Sequence, residues 1–246
     1  MIYVITAWYN EQFLANLFLS HYSFADKIII LLDESNNDNS TQIISRYSNA
    51  EIRKLSMPHG MDDALKQAQI NKTYNSIIDK NRWVIIADVD EFIYLPQQGL
   101  NEYLSQITVD IVKVDYYQMY QHKTENKLNI DSPVFLQRRH GKQIIAKANW
   151  KKPCIARTSR PLKWSPGHHD VMANSVPPCI IDSRLLLGAH WSMADIDLAI
   201  DRRINGRRNR MSPENLQCGF SHHNFKITAQ DIIDECNENN NCPLIF

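Results

Sequence analysis

The hydrophobic positions of the first half fall into short solid runs separated by longer amphipathic stretches. Ile2 to Thr6, Lys27 to Leu32 and Trp83 to Ala87 have the length and character of buried strands, and Glu51 to Leu55 reads as a shorter strand among them. Between them, Glu11 to Phe24 carries Phe13, Leu14, Leu17 and Phe18 at helical spacing. Thr41 to Tyr47 follows a capping Ser40, and Met61 to Asp79 opens on Asp62 and Asp63, acids that suit the positive end of a helix. Strands alternating with helices predict βαβ units and an α/β fold with a mostly parallel sheet flanked by helices. Ligands of such sheets bind beyond the carboxyl ends of the strands. The loops that matter therefore begin near Trp8, Asp33, Pro58 and Asp88.

The second half is less regular. Asp110 to Tyr116, Val134 to Arg138, Cys154 to Thr158 and Cys179 to Leu187 are candidate strands. Asp195 to Arg210 reads as an amphipathic helix, and a short helix from Thr228 precedes an Asn-rich tail. With no internal repeat and no long linker, the expectation is one domain over 1–246.

Composition narrows the class. The chain has 246 residues, 43% hydrophobic and 22% charged, as an ordinary globular protein does. Lys plus Arg and Asp plus Glu each number 27, and this zero balance argues against a nucleic-acid partner. No apolar run is long enough to span a bilayer. The start, MIYVITAWYNEQF, lacks a basic region and a cleavage site, so it reads as a first core strand. Five cysteines without a CxxC fit a reducing compartment, and the expected location is cytoplasmic.

The sharpest chemical signal is ADVDEF, residues 87 to 92, at the end of the fourth strand. Asp88, Asp90 and Glu91 repel one another unless a cation or strong donors meet them. Hard oxygen donors suit Mg²⁺ or Mn²⁺, although acids also serve as plain turn residues. Nearby, Asn10 and Glu11 stand where a helix start would turn its N–H groups to a ligand, or simply cap the helix. His168, His169 and Asp170 follow Pro166-Gly167 on a turn, and one histidine of the pair would face a site, either as a base with an orienting acid or as a metal ligand. His190 closes the apolar run LLLGAH at another strand end.

The first ninety-odd residues resemble the nucleotide-binding half of family 2 type glycosyltransferases, which have a GT-A fold. WYNE at 8–11, LLDESNNDNST at 31–41 and ADVDEF match that family's segments in order. KKPCIARTSRPLKWSPGHHDV at 151–171 and GAHWS at 188–192 with the basic stretch around 204 are similar to a branch of small bacterial transferases. The resemblance implies a nucleotide-sugar-binding half over 1–98 and an acceptor-side half over 99–246. It implies that Asp33 contacts the nucleotide base and that Gln67 and Asn71 reach the site from the long helix. It further implies that Asp88 approaches the ribose or the metal, and that Asp90 and His190 hold a divalent cation. The donor would be a nucleotide-diphosphate sugar, UDP-linked by family habit. The acceptor would be a glycan or lipid-linked glycan of bacterial surface polysaccharide or lipooligosaccharide synthesis. Asp170, His169 and Glu91 are the candidates for acid–base work.

Basic residues add to this. From Gln137 to Lys163 there are nine Lys or Arg and no acid. A second cluster comprises Arg202, Arg203, Arg207, Arg208 and Arg210, of which Arg203, Arg207 and Arg210 share one α-helical face while Arg202 and Arg208 point elsewhere. Such groups bind a diphosphate, an acidic sugar or the anionic headgroups of an inner membrane, or they are solvated surface. Tyr116, Tyr117, Tyr120, Trp150 and Trp164 would stack on a sugar or fill the core. Two rival readings stand beside the transferase: a nucleotidyltransferase of similar fold, disfavoured by the glycine-free AWYNEQF loop, and a non-catalytic sugar- or phosphate-binding module.

Overall fold

The computed structural model describes residues 1–78, 82–94, 99–143, 151–173, 176–220 and 226–246. Asp79, Lys147, Trp150 and the boundary drawn at residue 98 lie outside the described residues.

The four predicted segments form the parallel strands β1 (Ile2–Trp8), β2 (Lys27–Asp33), β3 (Ala50–Leu55) and β4 (Trp83–Ile86), in the spatial order β3-β2-β1-β4, with the charged β3 at the edge. β2 and β4 are buried almost throughout because helices cover both sheet faces. Ile2, Val4, Ile28, Ile30 and Ile85 pack with Leu14, Leu17 and Phe18 of α1 (Gln12–His21). On the other face Ile5, Ile29, Leu31, Val84 and Ile86 pack with Ile70 and Tyr74 of α3 (Asp63–Asn75). Asp62 caps α3 by accepting from the Leu65 N–H at 2.8 Å, as its acidic start suggests. The short α2 (Ser40–Ile44) begins one residue earlier than expected. Ser40 is its first residue rather than its cap, because the Ser40 hydroxyl accepts from the Glu11 N–H instead.

The same sheet continues through strands of the second half. β4 pairs antiparallel with β8 (Lys151–Arg157), β8 with β6 (Ile111–Tyr120), and β6 parallel with β11 (Ile180–Met193). β5 (Glu91–Tyr94) follows the acidic turn and pairs with β11, and β7 (Gly141–Lys142) pairs with β6. β3, β2, β1, β4, β6 and β11 run one way, so the sheet is mostly parallel with antiparallel insertions. A separate hairpin of β9 (Leu162–Trp164) and β10 (Val171–Ala173) packs outside it. Val134 to Arg138 is not a strand. Val134–Gln137 is a helical turn, α5, launched by Pro133, and a four-residue apolar run carries no period that separates the two states. α4 (Leu100–Ser105) was not legible either.

Asp195 caps α6 (Ile196–Ile200), which widens into a π-helical stretch over Asp201–Arg208 before α7 (Pro213–Gln217). Thr228 and Asp231 form a capping box for the last helix, α8 (Ala229–Glu238). The π-helical wall is tied to the first half at Gly60. Its φ of +99° is open to glycine, and a Cβ there would run into the Arg210 carbonyl. The Met61 N–H donates to that carbonyl at 2.5 Å. No described helix is long and apolar enough to cross a membrane.

Candidate active site

A cleft of ≈ 370 Å³ opens over the carboxyl ends of β1 to β4. This is where the strand order reverses and where an α/β sheet places its ligand. Tyr9, Glu11, Asp33 and Asp88 line it from the strand ends, Lys66 from α3, and Arg202, Arg207 and Arg210 from the opposite wall.

The loops after β1 and β2 lock together. The N–H groups of Asn10, Glu11 and Gln12 donate to Asn36 Oδ1 (2.8 Å), Ser40 Oγ (3.2 Å) and Asp38 Oδ2 (2.8 Å). The Asn/Asp/Ser loop thereby satisfies the first turn of α1, and these N–H groups are not turned to a ligand. Asn10, with φ of +50°, clasps Asn37 from both sides of its amide. Glu11 instead sends its carboxylate to Arg202, whose Nε and Nη2 each reach it at 3.0 Å.

Asp33 is buried and fully engaged. Ser35 donates to Oδ1 through its N–H and hydroxyl, and Arg210 Nη2 donates to Oδ2 at 2.6 Å. The Arg210 guanidinium lies 3.4 Å from the centroid of the Tyr9 ring, an aromatic in the cleft that spacing did not single out.

Asp88, Val89, Asp90 and Glu91 form a turn closed by the Glu91 N–H donating to the Asp88 carbonyl at 2.9 Å. The turn sorts its acids. Asp88 and Glu91, at its ends, come together with His168, with one ligand atom of each within 4.8 Å of the others. Asp90 points the other way, to Arg202 Nη1 at 2.5 Å, with His190 Nε2 at 3.8 Å and Arg207 Nη2 at 3.9 Å. Lys66 reaches Asp88 at 3.3 Å, and buried Lys152 of β8 is bonded to Glu91. Each of Glu11, Asp33, Asp88, Asp90 and Glu91 thus has a cation of the chain against it.

That pairing sets the protonation states. Burial would raise Asp88, but Lys66, His168, Lys152 and Arg207 outweigh it and hold the carboxyl well below the carboxylate range. Burial is likewise overcome at Asp90 by Arg202, His190 and Arg207, which hold it low. Glu91 is pushed up to about 7 by burial, although Lys152 beside it pulls the other way. Burial lowers His168 and His190 to about 3 and His21 to about 4, so all three rings are neutral near pH 7.

The remaining expected residues separate. Asn71 binds the β9 hairpin, where its Nδ2 donates to the Trp164 carbonyl and its Oδ1 accepts from the Trp164 N–H, and buried Gln67 donates to Asn71 Oδ1 at 3.4 Å without lining the cleft. Asn71 thereby ties that hairpin to α3. His168 is the buried member of its pair, while His169 is half-buried and Asp170 exposed, and none of the three lines the cleft itself. Gln118 Oε1 accepts from His190 Nδ1 at 2.9 Å, since the Gln118 amide nitrogen donates to the His190 carbonyl. The His190 tautomer is thereby fixed with Nε2 towards Asp90. Arg202, expected to face away, is at the centre, because i→i+5 winding brings residues 202 and 207 to one side. Arg203 turns out of the cleft to Met193 Sδ. Of the first basic stretch, Arg138 is buried and bonded to backbone carbonyls, and Arg160 and Lys151 pair with acids. Tyr116, Tyr120 and Trp164 are core side chains.

No family model matches the sequence, and no curated protein does. Among solved structures the chain is similar to that described as "Crystal structure of 4-diphosphocytidyl-2C-methyl-D-erythritol synthase", over 64% of this chain and 75% of that one, at 8% identity and a TM-score of 0.37. A likeness this slight bears on neither activity nor substrate.

The buried imidazoles predict acid sensitivity. The unfolded chain takes up three protons as pH falls through 6.5, while folded His21, His168 and His190 wait until about 4 or 3. Stability is therefore lost on acidification across that window. Glu91, and Glu11 with its raised pKa, act in the opposite sense because they bind protons earlier when folded. Three groups against two leave a net loss of at least about 1 kcal/mol between pH 6.5 and 5. Urea midpoints that are equal at pH 7 and pH 5 would contradict this.

Proposed function

We propose that the cleft binds the nucleoside diphosphate of an activated sugar and that the chain is a glycosyltransferase, passing the sugar to a glycan or lipid-linked glycan. The observation that supports this most is the convergence, at the carboxyl ends of β1 to β4, of an aromatic and carboxylate side (Tyr9, Asp33), the head of the acidic turn (Asp88) with Lys66 beside it, and an opposite wall carrying Arg207 and Arg210. Tyr9 offers a face for a base, and Asp33 with Arg210 offers polar groups at its edge. Arg207, Arg210 and Lys66 offer donors to two phosphates. These cations are fixed by ion pairs before any donor arrives. Charge that develops on the leaving diphosphate would meet preset positive groups.

A divalent ion fits this site. His168 is fully buried with both ring nitrogens lacking a hydrogen-bond partner among the described residues, and it stands against two carboxylates. When bound, Mn²⁺ or Mg²⁺ would supply Lewis-acid stabilisation of the leaving diphosphate. Because the carboxylates and cations of the chain balance, an anionic donor enters most favourably with its counter-cation.

One observation favours a nucleotidyltransferase instead: the cations gathered on one wall are what a triphosphate requires. Thermal melting separates the readings. With Mn²⁺ present, UDP at about a hundred times its Kd should add about 2.7 kcal/mol and raise Tm by several degrees over metal alone. A shift with nucleoside triphosphates and none with diphosphates would move the assignment to nucleotidyl transfer. No shift with any nucleotide would leave a binding module for sugar or simple phosphate.

A further inference from the structure

We propose that the chain holds its divalent ion, Mn²⁺ in chemical type, on Asp88, Glu91 and His168, while Asp90 is the anchor of Arg202. This deepens the donor reading and rests on it for the ion's role, but not for its binding.

The turn geometry is the first argument. The ends of the turn place Asp88 and Glu91 on one side, and the Asp88 N–H donates to Glu91 Oε2 at 3.2 Å. Asp90 leaves on the other side, where Arg202 Nη1 stands 2.5 Å from its Oδ2 and also spans Glu11. The guanidinium occupies Oδ2, which leaves Asp90 Oδ1, buried without a hydrogen-bond partner among the described residues, as the atom that Asp90→Asn tests.

His168 is the second argument. It is completely buried, and neither ring nitrogen has a hydrogen-bond partner among the described residues. Leaving such groups dry and unpaired is costly unless something binds them. Its backbone sits at φ of +60° directly after Gly167 at +75°, a conformation that places this ring, and not that of His169, against Asp88 and Glu91. Non-glycine residues hold such a conformation only where the surroundings impose it.

The donor set is the third. Two carboxylates and one neutral imidazole suit a first-row ion such as Mn²⁺ better than Ca²⁺ or Mg²⁺, which take oxygen alone. The ligand atoms lie within 4.8 Å of one another. Metal–ligand bonds of about 2.0–2.2 Å therefore need only a small inward movement. Lys66 and Lys152 keep the acids paired in the meantime.

The test is a titration of the full chain with Mn²⁺ alone, without nucleotide, following the electron paramagnetic resonance signal of free Mn²⁺. His168→Asn is the informative variant, because asparagine accepts the left-handed backbone and removes the imidazole. His190→Ala and Asp90→Asn are its companions, with circular dichroism to establish that each is folded. The proposal expects one site in the wild type, weakened at least tenfold by His168→Asn and changed less than threefold by His190→Ala. His168→Gln serves if His168→Asn does not fold. Unaltered binding in the His168 variant, loss of binding in His190→Ala, or no Mn²⁺ bound by the wild type would each overturn it. A nucleotide-induced melting shift in a wild type that binds no Mn²⁺ would overturn the ion site and leave the donor reading standing. Mn²⁺ bound at His168 with no response to any nucleotide would do the reverse.

Discussion

Arg202→Met should cost about 3–5 kcal/mol of folding stability, the loss that follows removal of one partner from a buried ion pair. Arg202 is the shared partner of two carboxylates that few other groups can serve. Its Nε and Nη2 meet Glu11 and its Nη1 meets Asp90, and Asp90 is almost wholly inaccessible. Burial already pushes Glu11 upward, and Arg202 is the main force opposing it. Without the guanidinium, Glu11 would take up a proton and Asp90 would lose its principal counter-charge. Arg207, 3.9 Å from Asp90, is too far to replace it fully. Methionine keeps most of the apolar stem, so lost packing does not explain the effect. The check is equilibrium urea unfolding at pH 7. The triple variant Glu11→Gln, Asp90→Asn, Arg202→Met should recover much of the loss, because no charge is then left stranded. A single variant within 1 kcal/mol of wild type would show the triad to be a passive contact.

That residue also shows where sequence reading stops. β1, β2 and β4 were legible because Ile, Leu and Val runs buried in the sheet have no other stable use, and the edge strand β3, AEIRKL, from its place in the βαβ order. The location of the cleft followed from them. Side-chain direction in the second half did not. Arg202 was set apart from Arg207 by α-helical spacing, and nothing in DRRINGRR announces a π-helical winding. Lys152 was one basic residue among nine, and it reaches Glu91 only because β8 inserts antiparallel beside β4. β5 was missed because its EFIY begins within the acidic turn. That only one of His168 and His169 could face the site was foreseeable. Which one depends on a left-handed pair of residues at Gly167 and His168.

Asp88→Asn should separate activity from stability in the opposite way to Arg202→Met. Asp88 is the acid shared by the cleft and the cluster with Glu91 and His168, so turnover of the donor should fall by about 10²–10³, as it does when one preorganised electrostatic group is removed. Stability should fall by less than in Arg202→Met. The Asp88 charge raises both Glu91 and Asp90, and removing it relieves that repulsion. Against this, Lys66 loses its 3.3 Å partner but keeps Asp63 at 3.8 Å. The relief offsets only part of the loss, because cations hold the Asp88 carboxyl well below its ordinary range and its charge is therefore net stabilising. Tm should fall by less than in Arg202→Met, at about 2–4 °C per kcal/mol. The measurement is release of nucleoside diphosphate from the sugar donor whose nucleotide gives the metal-dependent melting shift, alongside the melting curve itself. Full turnover in a folded Asp88→Asn protein would remove the acidic turn from the chemistry. A large fall in Tm would instead mean that Asp88 is needed to neutralise Lys66, and its place at the head of the turn would then be structural.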